Sequence, residues 1–156
     1  MDDTLYLSDL DGTLLRSDQT LSEYTCSVIE RIVEAGVHFS YATARSIETA
    51  GKVTRGIRVA LPVIVHNGTF IVDSVTGKPL WSAKFSPEEA RTILDAFIKR
   101  GLFPITYAVI DGRNRFSYLR DRCTRAQWEF LLTRIDGSDR RAREIFSEDA
   151  APDGDV

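Results

Sequence analysis

Leu5-Tyr6-Leu7-Ser8-Asp9-Leu10-Asp11-Gly12-Thr13-Leu14-Leu15 is the stretch on which the fold turns: a short apolar run delivers two aspartates, one residue apart, into a glycine-bearing turn. Carboxylates this close repel each other, so the arrangement costs free energy unless a cation, a shared proton or hydrogen-bond donors compensate. Magnesium, a hard cation, is held through one or two carboxylates together with waters and phosphate oxygens, so the pair points toward phosphate chemistry. The plainer reading is a solvated acidic turn after a strand, since Asp and Gly are ordinary turn residues. An EF-hand calcium loop fails on spacing. Begun at Asp9 it puts Leu14 where the glycine belongs, and begun two residues earlier it puts Leu7 at the first ligand position.

Outward from this turn the chain alternates strand and helix. Thr4 to Ser8 reads as a strand. Thr20-Leu21-Ser22-Glu23 has capping-box spacing, and Tyr24, Val28, Ile29, Ile32 and Val33 then recur on one helical face until Gly36. Val37 to Ala42 is a second strand, Ser46 to about Gly56 a shorter helix, and Pro62 to His66 a third strand. Such alternation argues for a parallel sheet with crossover helices, in which ligands bind beyond the carboxyl ends of the strands. Asp9 to Thr13, Thr43-Ala44-Arg45 and Asn67-Gly68 follow the three strands in turn.

From Thr69 the pattern changes. Phe70-Ile71-Val72 and Leu80-Trp81 suggest a hairpin leaving the sheet, and Ser86-Pro87-Glu88-Glu89 is a helix start with Ile93, Leu94, Phe97 and Ile98 inward. Phe103 to Ile110 and Arg113 to Leu119 flank Asp111-Gly112, a strong hairpin signal. A helix follows Thr124 with Trp128, Leu131, Leu132 and Ile135 inward, Ser138 to Ser147 reads as one more short charged helix, and Glu148 to Val156 as a frayed acidic tail. The division expected is 1–82 for an α/β unit, 83–147 for an α+β unit and 148–156 for the tail.

The 156 residues are 43% hydrophobic and 28% charged, an ordinary globular composition, and the net charge of -3 gives no electrostatic support for binding nucleic acid. No apolar run approaches the length of a membrane span, and Met1-Asp2-Asp3-Thr4 is acidic where a signal peptide is basic, so a cytoplasmic location is the expectation. Cys26 and Cys123 read as ordinary reduced thiols.

Phosphomonoester chemistry needs an attacking group, a proton donor for the leaving oxygen and charge neutralisation on the phosphoryl oxygens. Asp9, at the strand end, has the chemistry to attack phosphorus; Asp11, two residues on, to give a proton to the leaving alcohol and later take one from water. Thr43 offers a hydroxyl and Arg45 a fork of N–H groups suited to phosphate. Each has a plainer alternative: Thr43 as a helix cap, Arg45 as a surface charge, Asn67-Gly68 as a tight turn. His38 and His66 are expected within the sheet, and Phe97, Phe103, Tyr107 and Trp128 in the core of the second unit. Arg140, Arg141 and Arg143 read as a solvated helix face.

Asp9-Leu10-Asp11-Gly12-Thr13-Leu14-Leu15, Tyr41-Ala42-Thr43-Ala44-Arg45 and His66-Asn67-Gly68-Thr69 together resemble the motifs of the haloacid dehalogenase superfamily of phosphatases, and within it the Cof-type branch with an α/β cap inserted after the third strand. The resemblance implies a Rossmann-like parallel core sheet with a partial α+β cap. It also implies a magnesium cofactor and hydrolysis of small phosphorylated metabolites such as sugar phosphates. Asp9 would be the nucleophile and a metal ligand, and Asp11 the general acid/base and a ligand through its carbonyl. Thr43 would bind the phosphoryl group, with Arg45 and Asn67 lining the pocket. Ala44 stands where glycine is common in this branch.

Members of that branch also carry a lysine motif and an acidic Gly-Asp-x-x-Asn-Asp motif after the cap, and nothing here fits: Lys84 and Lys99 lie in or near the cap, and only Val156 follows Gly154-Asp155. The resemblance thus implies the N-terminal half of such a phosphatase, weak or inactive alone. Two other readings stand beside it. One is a truncated remnant serving as a binding or oligomerising module, self-associating through the open sheet edge; the other is a phosphoryl transferase or mutase.

Overall fold

The structure, a computed structural model, describes residues 4–135 and 139–151. The chain divides into two compact units, Met1–Ala83 and Lys84–Val156. The first holds β1 (Leu5–Ser8), α1 (Glu23–Glu34), β2 (His38–Tyr41), α2 (Ile47–Val53), β3 (Val63–Val65), β4 (Phe70–Val72) and β5 (Pro79–Ser82). β1 lies parallel to β2, from Leu5 opposite His38 to Ser8 opposite Tyr41. A parallel bridge between Ala42 and Ile64 carries the pairing on to β3. The α/β fold with a parallel sheet is thus the one the alternation predicts. The hairpin of β4 and β5 does not leave the sheet, because β4 pairs antiparallel with β3.

The core of this unit consists of Leu10, Leu15, Tyr41, Ala50, Val63, Val65 and Val72. Leu10 and Leu15 belong to the turn after β1, so burying them anchors the segment that bears the aspartates. α1 starts two residues later than the sequence suggests. Ser22, not Thr20, is the cap and accepts from the Thr25 N–H at 2.9 Å, while Thr20 is drawn into a turn with Asp18. Tyr24 is exposed, so the buried face of α1 is narrower than its apolar periodicity and centres on Ile29. Gly56 sits against α1 so closely that a Cβ there would meet Cys26 Sγ at 2.7 Å.

β1 is half-bare: Leu5, Tyr6 and Leu7 are 50%, 54% and 48% exposed. Among the described residues it pairs with β2 alone. Strands of parallel sheets are ordinarily buried on both faces, and here neighbouring side chains, which point to opposite faces, are all open.

The second unit holds α3 (Pro87–Ile98), β6 (Thr106–Ile110), β7 (Arg113–Leu119), α4 (Arg125–Leu132) and β8 (Ala142–Ile145). Ser86 and Glu89 form the capping box expected for α3, and Thr124 and Gln127 form another at α4. β6 and β7 make the predicted hairpin, with Asp111 and Gly112 at φ 51° and 69°, the positive values a tight two-residue turn requires.

The helix expected over Ser138 to Ser147 is instead a strand, β8, parallel to β7 from Phe116 opposite Ala142 to Leu119 opposite Ile145; Ser138 itself lies outside the described residues. A short charged segment has little helical stability of its own, and the edge of β7 satisfies its backbone. Arg140, Arg141 and Arg143 are therefore not on a helix face: Arg141 pairs with Asp139 at 2.6 Å, and Arg143 reaches Ser117 Oγ and the Ala150 carbonyl.

Nor does the chain fray at Glu148. Glu148–Ala150 form a single helical turn and Ala151 is fully buried with Leu94, Phe103 and Ile145; residues 152–156 lie outside the described ones. A second cluster joins Phe116, Tyr118 and Leu131, with Trp128 packed against it. Phe97, Tyr107 and Leu132 are largely exposed rather than core, Leu132 because it lies about 100° around the helix from buried Leu131.

Candidate active site

The turn after β1 spans Leu10–Leu14 and is closed by the Leu15 N–H donating to the Leu10 carbonyl at 2.8 Å. Gly12 sits at φ 76°, a conformation that opens to glycine at little cost and reverses the chain just after Asp11. Asp9, exposed at the strand end, turns its carboxylate onto the Leu10 N–H at 2.7 Å.

Asp11 meets Arg45 across 34 residues of sequence: Nε donates to Oδ2 at 2.7 Å and Nη2 to Oδ1 at 2.6 Å, a bidentate fork. Hydrogen bonding from Arg45 holds the Asp11 carboxyl below the usual carboxylate range, partial burial opposes that shift, and attraction between the charges reinforces it. The same hydrogen bond raises the pKa of Arg45. A depressed carboxyl pKa stabilises the fold above the unfolded pKa, and that stabilisation is lost as pH falls through the folded value. Asp11 is about half exposed (48%), so solvent screens the pair and it contributes at most about 1 kcal/mol. In Arg45→Ala the Asp11 pKa is expected to rise toward the ordinary carboxyl range, read from its carboxyl carbon in an NMR pH titration; an unmoved titration would mean the fork does not form in solution.

Thr43 is buried in the loop after β2, and its hydroxyl accepts from the Arg45 N–H at 3.2 Å. It does not cap α2, a role taken by Ser46. The Asn67 N–H donates to the Thr43 carbonyl at 3.1 Å and the His66 N–H to the Arg45 carbonyl at 2.9 Å, so the loops after β2 and β3 are laced together. His66 and Asn67 have φ of 51° and 56°, which puts His66 in this turn rather than in the sheet; His38 does open β2, exposed.

Asp11, Thr43, Arg45 and Asn67 are thus joined by hydrogen bonds at one end of the sheet, with Asp9 two residues from Asp11. Sequence reasoning missed Gln19, whose Oε1 accepts from Arg45 Nη2 at 3.0 Å. No periodicity or motif marks it. Its left-handed φ of 63° in the turn before α1, which aims the side chain, could not be read from the residue type.

Among the described residues no three or more His, Cys, Asp or Glu side chains gather as a metal cage. Magnesium needs less, since waters and phosphate oxygens complete its shell. The Asp9 carboxylate and the Asp11 carbonyl are hard oxygen donors of the right kind, and they fit such a cation as a partial set. Among the described residues no helix is long and apolar enough to cross a membrane.

Residues 6–145 match the haloacid dehalogenase-like hydrolase family. The HMP-PP phosphatase of Cronobacter sakazakii is 32% identical over 89 residues, which are 57% of this chain and 32% of that protein. The 5-amino-6-(5-phospho-D-ribitylamino)uracil phosphatase YitU of Bacillus subtilis is 33% identical over 63 residues, 40% of this chain and 23% of that protein. A solved phosphatase of the haloalkanoate superfamily from Bacteroides thetaiotaomicron gives a TM-score of 0.66 at 15% identity, over 92% of this chain and 49% of that one. The protein TM0651 of Thermotoga maritima gives 0.65 at 18%, over 97% and 53%. The chain therefore spans a third or less of these curated relatives and about half of these solved chains. The structural likenesses establish the fold, and the match over nearly the whole chain establishes the lineage. The chain belongs to the haloacid dehalogenase-like hydrolase family.

Proposed function

We propose that the chain carries the nucleophile-bearing part of a Cof-type phosphohydrolase that acts, with magnesium, on small phosphorylated metabolites such as sugar phosphates. The observation that carries this reading is the convergence of the aspartate turn after β1 with Arg45 and Thr43 from the loop after β2. In it, a carboxylate oxygen of Asp9 attacks phosphorus, the bond to the leaving alcohol oxygen breaks, and an aspartyl phosphate remains. Asp11 protonates the departing oxygen, then takes a proton from the water that cleaves the aspartyl phosphate. Clamped by Arg45, Asp11 is held ionised; Arg45 turning its fork to the phosphate would free it to carry a proton. Magnesium, held by Asp9 and the Asp11 carbonyl, would supply positive charge against the phosphoryl oxygens. The relatives' names support phosphate monoesters and diphosphates of small molecules as the substrate class. Met1–Ala83 would be the catalytic unit and Lys84–Val156 part of the cap that screens substrates.

Phosphate release from p-nitrophenyl phosphate with and without magnesium tests the reading. Asp9→Asn is expected to lower metal-dependent turnover on the order of 10³-fold or more. Equal turnover in the variant would remove Asp9 from the nucleophile role.

The bare strand β1 favours a second reading, a non-catalytic module that pairs with another copy of itself. Sedimentation of the purified chain is then expected to show dimers that Leu7→Lys converts to monomers; a wild-type monomer at high concentration would dispose of it.

A further inference from the structure

Gln19 lies outside every motif of the site, yet it touches the residue on which the site is organised. Its turn is closed by the Arg16 N–H donating to the Thr20 carbonyl and the Gln19 N–H donating to the Arg16 carbonyl, both at 2.9 Å. The Thr20 hydroxyl and N–H donate to Asp18 Oδ1 at 2.6 and 3.1 Å. Within this turn Gln19 adopts φ 63°, uncommon for a residue with a long side chain. The result is an amide projected from a fixed base, whose Oε1 accepts from Arg45 Nη2 at 3.0 Å while the same nitrogen donates to Asp11.

The chemistry of that contact is specific. Asp11 takes Nε and Nη2 of Arg45 and Gln19 also accepts from Nη2, so when a phosphate takes the fork from Asp11 the Gln19 amide would still hold the guanidinium. A carboxylate at position 19 would cancel the charge that an anion needs; a neutral amide orients the guanidinium without doing so.

We propose that Gln19 is a positioning residue that fixes the Arg45 guanidinium for contact with the substrate phosphate. This rests on the phosphohydrolase reading above, and the test separates the two. Inorganic phosphate is titrated into the full chain by calorimetry with magnesium present, for wild type, Gln19→Gly, Gln19→Ala, Gln19→Glu and Arg45→Ala. Gln19→Gly suits the left-handed backbone, so it removes the amide without disturbing the turn. Gln19→Gly and Gln19→Ala are expected to weaken phosphate binding about 3- to 10-fold, the loss of one hydrogen bond. Gln19→Glu should weaken it further, by neutralising Arg45. In NMR spectra the Arg45 Nη signals are expected to exchange faster in Gln19→Gly than in wild type, a change that a purely structural role for the turn would not produce. Wild-type affinity and unchanged Arg45 signals in Gln19→Gly would overturn the role of Gln19, and the functional reading would stand if Arg45→Ala still lost binding. Phosphate binding absent from wild type, or unaffected in Arg45→Ala, would overturn both.

Discussion

Leu10→Ala is expected to cost about 3 kcal/mol of stability and to loosen the aspartate turn in the molecules that remain folded. Leu10 stands between the two aspartates and is fully buried among Leu15, Tyr41, Ala50, Val63, Val65 and Val72. Its side chain is the plug that holds the turn to the sheet. Its N–H meets the Asp9 carboxylate and its carbonyl receives the Leu15 N–H. Truncation leaves a cavity beneath the site that neighbours from β2, β3 and α2 cannot all close at once. Urea denaturation reads the loss as a lower midpoint with an unchanged slope, and the Asp11 titration reads the loosening as a rise toward the ordinary carboxyl value. Leu10→Met, nearly equal in volume, should cost less than about 1.5 kcal/mol. A loss below about 1 kcal/mol in Leu10→Ala would mean the turn is held by its hydrogen bonds instead.

The structure also answers the electrostatic question that the paired aspartates pose. Of the three remedies for carboxylate repulsion, hydrogen-bond donors are present in the fold itself: the Leu10 N–H for Asp9, and the Arg45 fork for Asp11. Arginine and aspartate here are a paired cation and anion whose partners can be exchanged. A phosphate arriving at Arg45 would replace Asp11 with a better-charged ligand, and a hard cation arriving at Asp9 would meet an oxygen not committed to Leu10. The turn can thus be stable before substrate binds without consuming the groups the reaction would use.

What the sequence made legible was local or chemically marked. The strand Leu5–Ser8, the capping box at Ser86, the hairpin at Asp111-Gly112 and the candidates Asp9, Asp11, Thr43, Arg45 and Asn67 each follow from a few neighbouring residues or from a spacing of functional groups. The pairing of Asp11 with Arg45 was not legible, although both were singled out, because two side chains 34 residues apart meet only once β1 and β2 are side by side. Gln19 escaped notice for a different reason: its contribution depends on a positive φ that glutamine rarely adopts. β8 was lost because its alternating charges resemble a solvated helix face until an open edge at β7 gives its backbone a partner. Ser22 rather than Thr20 caps α1, and the Thr20 hydroxyl and N–H are instead turned onto Asp18. In the first three cases a long-range or backbone-specific contact outweighed a local preference; at the α1 cap one local preference outweighed another.

In the second unit, Phe116→Ala is expected to cost about 3 to 5 kcal/mol. Phe116 is fully buried with Tyr118 and Leu131, its ring lies 5.6 Å from that of Tyr107, and Arg141 stands 6.0 Å over it. It pairs with Tyr107 of β6 on one side and Ala142 of β8 on the other, so its removal strips packing from both partners of the central strand. β8 should suffer most, because a four-residue strand with Arg143 and Glu144 at its centre has little reason to be a strand once β7 no longer presents an ordered edge. Hydrogen exchange of the variant is expected to show protection falling across β6, β7 and β8. The amides of β2 and β3, whose core is the separate cluster around Leu10, should keep theirs. Phosphate affinity should then be unchanged, since the groups proposed to bind it all lie in Met1–Ala83. Protection lost equally across both units would show that they unfold as one cooperative block.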